Sequence, residues 1–105
     1  MVSTYLLFMT DNYVAYDDLP VADEHVIRAH AAELMAMAEA LGLANVRCAS
    51  TDRIVVTVTD RVEYLEEFRF AERANFMMGH QIRVYTDGVF KNPGVSLDLV
   101  AATPL

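Results

Sequence analysis

The sequence has no tryptophan, one cysteine, three prolines and four glycines among 105 residues. The lone Cys48 excludes a disulfide within the chain; set in the apolar run Val46-Arg47-Cys48-Ala49, it reads as a small buried hydrophobe. Cations are also scarce: eight Lys and Arg stand against 15 Asp and Glu, for a net charge of −7. The basic residues form no run, and Arg69 and Arg73 are interleaved with Glu66, Glu67 and Glu72. A nucleic-acid backbone is bound by cations that displace its counterions, so this balance argues against nucleic acid as a partner. The N-terminal apolar stretch Tyr5-Leu6-Leu7-Phe8-Met9 lacks a basic flank and is far short of the roughly 18 residues of a membrane span. A cytoplasmic protein without a membrane partner is the expectation.

Catalytic signatures are missing as well. His25 and His30 are five residues apart, hence on different faces of a helix, and there is no His-Glu-x-x-His spacing; neither a metal nor another cofactor is expected. Cys48, Ser50 and His80 lack the Gly-x-Ser-x-Gly context of an activated nucleophile. The paired acids Asp17-Asp18 and Glu66-Glu67 are neighbours in sequence and point apart on a helix, so they read as solvated charges.

What the chain does have is apolar bulk, 54% hydrophobic against 22% charged residues. That composition indicates a single globular domain, residues 1–105, with little stability to spare at this length. Residues 2–9 read as a strand that is apolar on both faces. A turn at Thr10-Asp11-Asn12 and a short returning strand at 13–16 complete a hairpin, closed by Asp17-Asp18-Leu19-Pro20. One helix is predicted over 23–41, with Ile27, Ala31, Leu34, Ala38 and Leu41 on its inner face. Asp23 is its N-cap, Gly42 its left-handed C-terminal residue, and Glu24 and Arg28 a pair one turn apart. The opposite flank, Ala29, Ala32, Ala36 and Ala40, permits close approach of another element.

Residues 45–50 and the β-branched run 53–59 make an antiparallel hairpin about Thr51-Asp52. A second helix begins at Asp60, with Glu63 completing a capping box. It carries Tyr64, Leu65, Phe68, Ala71 and Met78 on one side and Phe70, Ala74 and Met77 on another. Residues 81–86 form the last clear strand; the tail is too short to assign by period. The order is β-α-β-β-α-β. The predicted fold is α+β, a mostly antiparallel sheet with two helices on one face, either a trimmed nucleotidyltransferase core or ferredoxin-like.

Three stretches carry a family resemblance: Leu41-Gly42-Leu43-Ala44-Asn45-Val46-Arg47, Gly79-His80-Gln81-Ile82-Arg83-Val84-Tyr85-Thr86 and Val100-Ala101-Ala102-Thr103-Pro104-Leu105. Residues 19–105 resemble the small prokaryotic minimal nucleotidyltransferases, antitoxin-like partners of HEPN-domain toxins. Residues 1–18 are then an N-terminal strand or hairpin extension. In that family a Gly-Ser turn, an Arg-Gly-Glu segment and a Ser-Asp-x-Asp strand precede a further acidic strand. Here Ala49-Ser50 replaces Gly-Ser, and a segment of roughly ten residues by motif length is missing. Asp52 echoes the first family aspartate, but two residues on stands Ile54, and Arg83 takes the third carboxylate position.

Nucleotidyl transfer needs carboxylates converging on a divalent metal. One Asp beside a guanidinium cannot hold a dication. The resemblance therefore implies a scaffold without catalysis, with Ser50, Asp52 and Arg83 meeting at one sheet end as the remnant of a nucleotide site. Such a protein would act by protein–protein interaction, antitoxin-like or as a regulator in a toxin, defence or mobile-element setting. Its expected partners are a HEPN-like toxin or a further copy of itself as a homo-oligomer. Phe70, Phe76, Met77 and Met78 are the interface candidates, weighed against a core role. The alternatives are a ferredoxin-like homo-oligomeric binding or assembly module and a small enzyme of the dimeric α+β barrel type.

Overall fold

A computed structural model describes residues 18–59 and 65–105. The strand and hairpin expected over 2–16 and the Asp60–Glu63 capping box lie outside the described residues. Among those residues the fold is α+β. Helices α1 (Glu24–Ala29) and α2 (Ala31–Ala40) lead to strands β1 (Leu43–Cys48) and β2 (Arg53–Val58). Helix α3 (Glu66–Met78) and strand β3 (Arg83–Thr86) follow. A 3₁₀ turn (Asp87–Lys91), the short helix α4 (Leu97–Val100) and strand β4 (Thr103–Pro104) complete the chain.

The four strands are ordered β3-β2-β1-β4. β1 pairs antiparallel with both β2 and β4, and β2 pairs parallel with β3. The sheet is thus mixed, with two of three pairings antiparallel. β2, α3 and β3 form a βαβ unit whose strands are direct neighbours, unlike the split arrangement, in which another strand intervenes.

β2 is central and covered on both sides: Ile54, Val55 and Val56 are each fully buried. Ile54 and Val56 join Ile27, Leu34, Ala38, Phe70, Ala74 and Met78 in the main core beneath α1, α2 and α3. Val55 faces the other way into a smaller cluster with Ala49 and Leu99, flanked by Tyr85, Val89, Val95 and Ala102. Among the described residues three helices, not two, therefore occupy the main face, because the predicted helix over 23–41 is broken. At the junction His30 has φ −110 and ψ 23, its N–H turns back to the carbonyl of Ile27, and its ring Nδ1 lies 2.9 Å from the Val26 carbonyl.

Asp23 caps α1 by accepting from the Val26 N–H at 3.0 Å, and Glu24 pairs with Arg28 at 2.8 Å. Gly42 has φ 76, the left-handed conformation expected of it. Ile27, Leu34 and Ala38 are buried as predicted, and Ala29, Ala32, Ala36 and Ala40 are exposed.

A bulge between Ala44 and Arg47, with Asn45 at φ 52, inserts one residue into β1. The extra residue shifts the alternation, so Leu43, Val46 and Cys48 all face the main core. On α3 the inward face takes residues from both predicted sides. Phe70, Ala74 and Met78 point inward, whereas Leu65 and Phe68 are exposed. Glu66, expected to be solvated, is buried as well.

Candidate functional site

Two of the three remnant residues meet. Asp52 closes the β1–β2 connection, and its carbonyl accepts from the Arg83 N–H at 3.0 Å, starting the parallel ladder between β2 and β3. Its carboxylate accepts from Nε and Nη2 of Arg83, each at 3.2 Å. The Asp52 side chain is 11% exposed and that of Arg83 61% exposed, so the guanidinium lies over a sunken acid. The hydrogen bond to Asp52, followed by the charge of the carboxylate, raises the Arg83 pKa above its ordinary value. Two donors fixed in one plane match two carboxylate oxygens, the fork geometry peculiar to arginine. Each carboxylate oxygen thus accepts one hydrogen bond from the same guanidinium.

Ser50 belongs to the same connection but opens elsewhere. It lines a cleft of about 440 Å³ together with Asp23, Glu24, His25 and Arg28. Arg28 is committed there already: its Nε bonds Glu24, Nη1 the Pro104 carbonyl and Nη2 the Thr103 hydroxyl. Among the described residues no hydrogen bond joins Ser50 to the Asp52–Arg83 pair.

Sequence reasoning missed a second ion pair beside the first. Arg53 is the register partner of Arg83, so two guanidinium-bearing residues stand side by side where β2 and β3 begin. Arg53 Nη1 donates to the Ser96 hydroxyl at 2.8 Å and lies 3.4 Å from Asp98, which also accepts from Ser96 at 2.7 Å. The Ser96 hydroxyl, ahead of the Arg53 charge, holds the Asp98 carboxyl below its usual range. Among the described residues, Arg53 Nε and Asp98 Oδ2 are buried without a hydrogen-bond partner. The signal was Ser96-Leu97-Asp98 ahead of an apolar stretch, a helix-start pattern, but nothing in sequence joins it to a residue over forty positions upstream.

A third polar cluster occupies the opposite end of that face. Arg47 Nη2 donates to Asp87 at 2.5 Å, and the Thr57 hydroxyl donates to the other Asp87 oxygen at 2.5 Å. The guanidinium of Arg47 also stands over the Phe90 ring, 5.9 Å from its centre. The Thr57 hydroxyl first, and Arg47 next, keep the Asp87 carboxyl below its ordinary value.

Cys48 is buried, and burial pushes its thiol pKa up, so it has the character of an inert core residue. His80 Nδ1 lies 2.9 Å from the Met78 carbonyl, a local contact at the end of α3. Of the interface candidates, Phe70 and Met78 are buried in the main core. Phe76 and Met77 remain exposed. Among the described residues no three His, Cys, Asp or Glu side chains converge as a metal-ligand set, and no helix is long and apolar enough to cross a membrane.

Comparison of the chain with models of known protein families, with curated proteins and with solved structures found no match.

Proposed function

We propose that this chain is a non-catalytic, nucleotidyltransferase-like protein that acts by binding another protein, as an antitoxin-like neutraliser or regulator in a toxin, defence or mobile-element setting. The observation that supports this most is the bidentate Arg83–Asp52 pair. A guanidinium occupies the position at which the resemblance calls for a third carboxylate, and it engages the acid that the resemblance would assign to metal. The direct β2–β3 pairing across α3 favours the trimmed nucleotidyltransferase outline over a split ferredoxin-like one. A HEPN-like toxin and a second copy of the chain are the partners this reading puts first.

The test is affinity capture of the tagged chain from its native host, with a parallel assay for label transfer from magnesium–ATP to the captured protein. Stoichiometric capture of one protein without label transfer is the expected result. Metal-dependent labelling, or the recovery of no partner at all, contradicts the proposal.

A further inference from the structure

We draw no further inference here: the strongest candidate, the surface groove that Phe68 and Ala71 of α3 form with Val84 and Tyr85 of β3 at the edge of the sheet, is an apolar face, and nothing in the structure shows what covers it.

Discussion

Asp52 and Phe70 show how individual side chains divide the work of this small domain. Asp52 ties the β1–β2 connection to β3 through its carbonyl and carboxylate together, so the ion pair and the start of the parallel ladder share one residue. Phe70 fills the main core with no exposed surface. Its truncation to alanine is expected to cost about 3–5 kcal/mol in urea denaturation, a large share of the total for a domain this size. Phe68→Ala, at an exposed position, should change stability by less than about 0.5 kcal/mol. The sequence could not rank these two residues. Both sides of α3 carry aromatic and methionine residues, so periodicity marks two apolar faces and does not say which meets the sheet. The choice is made by a residue without an apolar signature: Asn75 is fully buried, its side-chain carbonyl accepts from the Ile82 N–H at 2.8 Å, and its backbone carbonyl receives the N–H groups of Gly79 and His80.

Elements whose boundaries are written in local chemistry were legible. The Asp23 cap, the left-handed Gly42 and the β-branched β2 behind its short turn all stand where backbone preference put them. Elements made by tertiary contact were not. No proline or glycine marks the break at His30, and the bulge at Asn45 shows only when β1 is paired with β2. α4 and β4 are four and two residues long, too short to carry a period, and are held by Leu99 in the smaller cluster and by the pairing to β1. The turn from α3 to β3 offers a test of backbone geometry alone. Gly79 has φ 68, and a Cβ added there would meet nothing within 4 Å. Gly79→Ala should therefore cost roughly 1 kcal/mol through conformational strain. Gly94, which lacks a positive φ, should tolerate the same change to within about 0.5 kcal/mol by thermal denaturation.

Across the molecule, the smaller face of the sheet is fastened at both ends by carboxylates whose pKa values are lowered in the fold, Asp87 through Thr57 and Arg47, Asp98 through Ser96 and Arg53. Depressed folded values mean that these acids add stability above the ordinary carboxylate range and that it is lost as pH falls through the folded values. The melting temperature should accordingly hold between pH 7 and pH 5 and drop below about pH 4, with Asp87→Asn blunting the drop. Sequence foretold the α+β class; of Ser50, Asp52 and Arg83, expected together, the structure pairs the last two. The sequence was silent on this second covered face, since its ion pairs join residues about forty positions apart. The claim on which the functional reading turns is that Arg83 has taken Asp52 out of metal chemistry. A calorimetric titration of the full chain with magnesium–ATP probes it most directly. We expect no saturable heat, because the guanidinium beside the lone carboxylate repels a dication; a saturable isotherm that Asp52→Asn abolishes would contradict this.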